Sequence, residues 1–216
     1  KTIINSNLIF NTQSFFMRFV FYFSFLFVLY CNHGYSQLTM PEGYQIALDI
    51  NDSNLILTHD FNKDGMIDTF AVIEKEGNAK LIAILSKGSK SKITITHNEG
   101  NFYSCCASIV YKKNILTLTT KGMRYFEYYK FRYNKKLANF ELIGHDTESF
   151  GNAIHDGAGT KSVNLLTRDY EYSTYSAIDE HSGETKSGKR KIKLPKKFTL
   201  SNFNEAIDFL SDLESY

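Results

Sequence analysis

The sequence predicts a mainly β fold: antiparallel sheets in a meander, sandwich-like or partial-propeller-like arrangement, with a short C-terminal helix. Three observations predict it. From about Tyr44 onward, apolar residues recur at every second position, the spacing of strands with one buried face. Short polar clusters rich in Asn, Lys and Gly interrupt those runs at hairpin intervals. Clear helical spacing of apolar residues is confined to the final segment, after Ser201.

Ahead of the β region, the first Met is Met17, followed by Arg18 and an almost unbroken apolar run of 13 residues from Phe19 to Cys31. A basic start, an apolar stretch of about 7 to 15 residues and small residues before a cut make a secretory signal peptide. The expected organisation is an untranslated or disordered leader over 1–16, a signal peptide over 17–36 and one β-rich domain over 37–216. Gly34 and Ser36 are the small residues a signal peptidase inspects, and they place the cut before Gln37. Lipidation at Cys31 is the rival, opposed by the bulk of Tyr30 where bacterial lipoprotein signals want a small residue. The run also falls short of the roughly 20 residues that cross ~30 Å of hydrocarbon. The mature chain is therefore expected to carry no transmembrane span and to be exported to the periplasm, cell surface or medium.

Of 25 basic and 23 acidic side chains, residues 1–36 hold Lys1 and Arg18 and no acid, which leaves the mature chain formally neutral. Charge thus offers no electrostatic footprint for nucleic acid or a membrane surface. Cys105 and Cys106 are adjacent, and a bond between neighbours closes a strained ring, so two buried thiols are expected. No CxxC or Cys/His zinc spacing is present.

Taken in order, Leu55–Leu57, Thr69–Ile73 and Leu81–Leu85 are short apolar runs rich in β-formers, and Ile93 to Thr96 alternates strictly. A first hairpin pairs Ser108–Tyr111 with Ile115–Thr119 across Lys112, Lys113 and Asn114. A second pairs the aromatic strand Tyr125–Tyr133 with Phe140–Ile143 across Asn134, Lys135 and Lys136. In the aromatic strand Tyr129, Phe131 and Tyr133 share one face, with Lys130 and Arg132 on the other. One covered face and one wet face predict an antiparallel sheet. The stretch from His145 to Lys161, rich in Gly, Asp, Asn and His, reads as a long loop. Strand pattern resumes over Val163–Tyr175 and is followed by a turn at Glu180 to Gly183 and a basic stretch to Lys197. At the end, Asn202 with Glu205 forms a capping pair, and Phe203, Ala206, Ile207, Leu210 and Leu213 line one helix face that packs on a sheet or covers its edge.

The chemically informative stretch is DFNKDGMID, Asp60 to Asp68. Asp60, Asn62, Asp64 and Asp68 place side-chain oxygens at alternate positions, Gly65 permits the sharp turn, and Met66 can offer its carbonyl. Calcium takes six to eight oxygens at about 2.3 to 2.6 Å, and this spacing wraps them around one point. Three carboxylates so close repel one another, and a cation is the counter-charge that closes the loop. An EF-hand would need a bidentate Glu at the twelfth position, where Ala71 stands, and a helix where Thr69 to Ile73 favour a strand.

A strand, an Asp-rich turn and a second strand over Leu55 to Glu74 resembles the FG-GAP and VCBS repeats of extracellular proteins, with their DxNxDGxxD loop. More broadly, the order of the loop, "LIAILSKG", "NILTLTT", "YYKFRY" and "FELIGHD" resembles a group of secreted bacterial proteins with one FG-GAP-like loop in a small β domain. The resemblance implies a structural calcium ion held by Asp60, Asn62, Asp64, Met66 and Asp68, at an affinity of about 0.1 to 1 mM for modules of this kind. Integrin-type FG-GAP repeats come as several copies around a propeller. This chain has one copy, so their adhesive role does not carry over.

Other signals carry less. Gly183 to Arg190, GETKSGKR, lacks the final hydroxyl of the GxxxxGK[ST] phosphate loop and runs into lysines and Pro195 instead of a helix. Those lysines read as guards of an exposed edge strand. The tyrosine-rich strand reads first as core and cross-strand packing, and second as a platform for a glycan or peptide. Two functional expectations result. One is an exported, non-catalytic module with a structural calcium loop that binds a glycan, peptide or protein partner; the other is a secreted hydrolase using His145, Asp146, His155 and Asp156 of the 145–156 segment.

Overall fold

A computed structural model of the chain describes residues 40–87, 90–95, 106–178 and 182–214. The expected leader, signal peptide and Cys31 lie outside the described residues, as do Thr96 and Cys105, whereas Cys106 is half-buried. No helix among the described residues is long and apolar enough to cross a membrane.

Among the described residues twelve strands and one helix follow in order: β1 (Gln45–Ile46), β2 (Ile56–His59), β3 (Asp68–Lys75), β4 (Asn78–Lys87), β5 (Lys90–Ile95), β6 (Ala107–Lys112), β7 (Ile115–Lys121), β8 (Tyr125–Asn134), β9 (Asn139–Phe150), β10 (Ala158–Asn164), β11 (Asp169–Ala177), β12 (Gly183–Lys191) and α1 (Phe203–Glu214), the last entered through a 3-10 turn at Leu200–Asn202. All strand pairs are antiparallel, in two sheets, as the alternation predicts.

In the five-stranded sheet β1 and β2 both pair along one edge of β3, followed by β4 and β5. Val72 joins the two short strands: its carbonyl accepts the Ala47 N–H at 2.9 Å and its own N–H donates to the Leu55 carbonyl at 2.9 Å. The seven-stranded sheet is an unbroken meander from β6 to β12. Its turns are local in origin. Lys113 and Asn114, both at positive φ, make the two-residue β6–β7 turn whose twist matches the strands. The β8–β9 and β10–β11 turns share one device. Asn134 and Asn164 each accept two following backbone N–H groups on Oδ1, and each turn closes on a left-handed residue, Ala138 and Arg168 respectively.

The sheets meet through aromatic rings. Phe70 of β3 approaches Phe140 and Phe131 of the second sheet at 5.5 and 6.5 Å between centroids, and Phe61 lies 5.3 Å from Phe140. Helix α1 closes the same core with Phe203, whose ring stands 5.0 Å from Tyr129 and 5.3 Å from Phe131. Ala206 and Leu210 are buried with it, and Ile207 and Leu213 are half-buried, as the helical spacing predicts. A second cluster, Ala71, Ile73, Ile82 and Ile84, occupies the opposite face of β3 and β4, with Met40, Tyr44 and Ile56 packed against it.

Three expectations are corrected. The long loop over His145 to Lys161 is instead the second half of β9, a turn at 151–157 and the start of β10. Gly, Asp, Asn and His are poor strand formers alone, but pairing with β8 on one side and β10 on the other overrides propensity. The predicted strand Val163–Tyr175 is two strands, divided by the Asn164 turn. The capping residues stand one turn earlier than predicted: Asn202 Oδ1 accepts the Thr199 N–H at 2.6 Å, while Glu205 pairs with Lys196.

One irregularity matters for the site below. Between Lys130 opposite Gly144 and Phe131 opposite Leu142, β9 carries one extra residue, Ile143, whose carbonyl accepts the Leu165 N–H at 3.0 Å. This bulge shifts the phase of the strand, so Phe140, Leu142 and then His145 all enter the core.

Candidate functional site

The Asp60–Asp68 run forms the turn from β2 to β3, strand on either side, as the motif predicts. Its backbone amides point at its own carboxylates. Asp60 accepts the Asp64 N–H at 3.1 Å on Oδ1 and the Gly65 N–H at 2.9 Å on Oδ2. Asn62 Oδ1 accepts the Asp64 N–H at 2.9 Å, and Asp64 Oδ1 accepts the Met66 N–H at 2.9 Å. Two left-handed residues, Lys63 at φ 60° and Gly65 at φ 86°, curl the chain tightly enough for this. A β-carbon is disfavoured at such angles, which is the reason for glycine at 65.

Asp68 sits beneath the turn, fully buried. Its Oδ2 accepts the Phe61 and Asn62 N–H groups at 2.9 and 3.3 Å, and its Oδ1 accepts the Ser86 N–H of β4 at 2.8 Å. Burial raises its pKa above the ordinary carboxylate value, and the Asp64 charge adds to the rise; the three amide hydrogen bonds oppose both. Phe61 anchors the turn from below, with its ring 5.0 Å from Tyr111 and 5.3 Å from Phe140.

The structure therefore links Asp60, Asn62 and Asp64 around the turn and places Asp68 under them, with Met66 half-buried at the exit. Ser86 was not visible in the motif. It ties the turn to β4, donating its hydroxyl to the Ile67 carbonyl at 2.9 Å and accepting Asn62 Nδ2 at 3.4 Å. No local spacing signals a residue 18 positions beyond Asp68; only the β3–β4 register brings it there. Tyr111 and Tyr133 were missed for the same reason. Burial raises both phenol pKa values, and then the loop charges raise them further, Asp60 at Tyr111 and Asp68 with Asp64 at Tyr133.

No family model matches this chain. No curated protein and no solved structure is similar to it either.

The side-chain atoms that the turn offers a cation are all oxygens of the hard kind that calcium takes. Each carboxylate oxygen has two acceptor positions, so hydrogen bonding leaves capacity unused on the oxygens of Asp60 and Asp64 and on Asp68 Oδ1, while Asp68 Oδ2 already takes two amides. Among the described residues no Lys or Arg pairs with Asp60, Asp64 or Asp68. The carboxylates do not already converge: no three acidic, His or Cys side chains among the described residues stand close enough to hold a metal. The residue types and charge suit calcium, and binding would require the carboxylates to draw closer together than they stand.

The other sequence candidates do not assemble. His145 faces the core, stacked on Tyr129 at 4.6 Å, while Asp146 faces the opposite side, paired with Lys130 and accepting the Ser162 hydroxyl at 2.7 Å. His155 and Asp156 lie in the turn beyond Phe150, where Asp156 Oδ1 accepts the Ala177 N–H at 2.9 Å. The strand from Asp146 to Phe150, four intervals at ~3.4 Å, puts roughly 14 Å between the two pairs. Residues 183–191 are strand β12, with no helix N-terminus behind Gly188 to cradle phosphate. β12 is the outermost strand of its sheet, in keeping with lysines as edge guards.

Proposed function

We propose that this chain is an exported, non-catalytic bacterial envelope or extracellular module whose Asp60–Asp68 turn takes a structural calcium ion, and whose β scaffold binds a glycan, peptide or protein partner. The observation that carries the reading is a turn holding three carboxylates, curled by its own amides, with which no Lys or Arg among the described residues forms an ion pair. Asp60, Asn62, Asp64 and Asp68 would supply side-chain oxygens, and Met66 its carbonyl. The ion would provide the missing positive charge and stiffen the connection from β2 to β3, which Ser86 extends to β4. Export is supported by the Met17–Ser36 pattern, and sites of about 0.1 to 1 mM affinity suit calcium-rich surroundings. The likeness to FG-GAP and VCBS loops belongs to this same reading.

The test is thermal unfolding in calcium and in chelator. At ten times Kd, an ion that binds only the folded state adds about 1.4 kcal/mol, or roughly 3 to 6 °C for a domain of this size. Asp64→Ala, a change at an exposed position, should remove that difference. Equal melting temperatures in calcium and chelator, or a shift that survives Asp64→Ala, would overturn the assignment.

A further inference from the structure

The seven-stranded sheet outruns its core. Across β8 to β11, Tyr129, His145, Val163 and Tyr170 stand opposite one another in a rung that is wholly buried. Two further rungs carry the same face onward: Glu127, Thr147, Lys161 and Tyr172, then Tyr125, Ser149, Gly159 and Thr174. These two rungs open into a cleft of about 720 Å³, within the size range of ligand sites.

Two tyrosine rings occupy space on this face that only glycines beneath them leave open. A β-carbon on Gly188, the partner of Tyr172 across β11 and β12, would stand 2.7 Å from the tyrosine ring, and one on Gly122 would collide with the ring of Tyr125. Packed over glycine backbone, both rings remain open to solvent; Tyr172 is 37% and Tyr125 46% exposed. The Tyr172 shelf is braced. Its ring stacks on Tyr170 at 5.9 Å, and Arg190 lies 5.0 Å over Tyr170 while donating to the Leu213 carbonyl of α1 at 3.2 Å. Glu127 is aimed by hydrogen bonds from the Thr120 hydroxyl at 3.0 Å and the Tyr129 hydroxyl at 3.2 Å.

The arrangement is two aromatic faces separated by a floor of hydroxyls and one charge of each sign. Three strand intervals at ~4.8 Å separate the strands of Tyr125 and Tyr172 by roughly 14 Å, and the step between their rungs adds to this, a span of several sugar units. A ligand that fits must alternate apolar C–H faces, which meet the electron-rich face of an aromatic ring, with hydroxyls along its length. An extended peptide would need unpaired backbone groups, and the strands under this face spend theirs on each other. A polyanion would need an excess of positive charge, whereas the residues that line the cleft carry both signs, Glu127 and Glu148 with Lys161 and Arg190.

We propose that this cleft binds a neutral oligosaccharide, with Tyr125 and Tyr172 stacking on its sugar rings and Glu127, Thr147 and Lys161 bonding its hydroxyls. The proposal rests on the reading of the chain as a binding module, and it is independent of the ion. Titration calorimetry of the full chain with β-1,4-glucan, xylan, chitin and α-1,4-glucan oligomers, in calcium and in chelator, tests it. One class should bind at micromolar to millimolar concentrations, and Tyr125→Ala and Tyr172→Ala should each weaken it at least about tenfold, the ratio produced by ~1.4 kcal/mol. Gly188→Ala, which keeps the tyrosine but displaces its ring, should weaken binding similarly. Tyr172→Leu replaces the ring with apolar bulk if Tyr172→Ala does not fold, and it should also lose affinity.

No binding by any oligomer, binding indifferent to all four variants, or tyrosine-dependent capture of an unstructured peptide library in place of sugar would overturn the proposal. Saccharide binding without a calcium shift in melting would keep the cleft and sink the ion. A calcium shift without saccharide binding would do the reverse.

Discussion

The two sheets solve burial differently. In the five-stranded sheet, β3 and β4 carry consecutive apolar residues and bury both faces: Phe70, Val72, Leu81 and Ala83 join the main core, while Ala71, Ile73, Ile82 and Ile84 form the second cluster. In the seven-stranded sheet the strands alternate. Leu116, Leu118, Phe131 and Phe140 enter the core, while Val110, Lys130 and Arg132 lie on the wetter side. A strand buried on both faces has no side free for a ligand. A longer alternating strand can keep its inward pattern beyond the last core residue, and there the same periodicity produces an open, side-chain-lined surface.

Four measurements break or sharpen that contrast, in descending order of effect. Phe70→Ala removes the ring that joins the sheets and should cost about 3 to 5 kcal/mol in urea unfolding; a cost near 1 would mean the sheets are not one core. Ile82→Ala, on the second face of β4, should cost about 2 to 5 kcal/mol. A cost under 1 would remove the claim that this sheet is buried on both sides.

His145 tests the covered end of the other sheet. Burial, opposed by Asp146 and reinforced by Lys130 and Lys161, lowers its pKa from 6.5 to about 4, and its Nε2 has no hydrogen-bond partner among the described residues. The folded-state pKa lies below the unfolded one, so the unfolded chain binds the proton first. Stability should be full above about pH 6.5 and fall as pH drops toward 4, by roughly 3 kcal/mol in all. His145→Phe keeps a ring against Tyr129 and should flatten urea midpoints measured between pH 7 and 4.5; an unchanged slope would show that the imidazole is not confined in the core. Smallest is Val110→Ala on the exposed side of β6, expected within about 0.5 kcal/mol of the parent. A loss like that of Ile82→Ala would erase the distinction between the two sheets.

Much of this was legible in the sequence where the cause is local. Lys113–Asn114 and Asn134 mark their turns because left-handed residues and Asn side-chain bonds act within four positions. Phe203, Ala206 and Leu210 mark α1 because helical spacing selects one face. The Asp60–Asp68 motif was readable because its oxygens and all the amides they accept except that of Ser86 lie within nine residues. His145 to Lys161 was misread because its residues favour turns on their own, and strand structure there comes from neighbours on both sides.

By itself, the sequence determined the β class, the alternation, the terminal helix and the chemistry of one turn, since each depends on interactions a few residues long. Only the tertiary structure decided that Ser86 supports that turn, that Ile143 bulges so His145 faces inward, and that Tyr125, Lys161 and Tyr172 share one open face. Those outcomes depend on strand register, which is set by the joint packing of two sheets and a helix and leaves no mark in any short window of the chain.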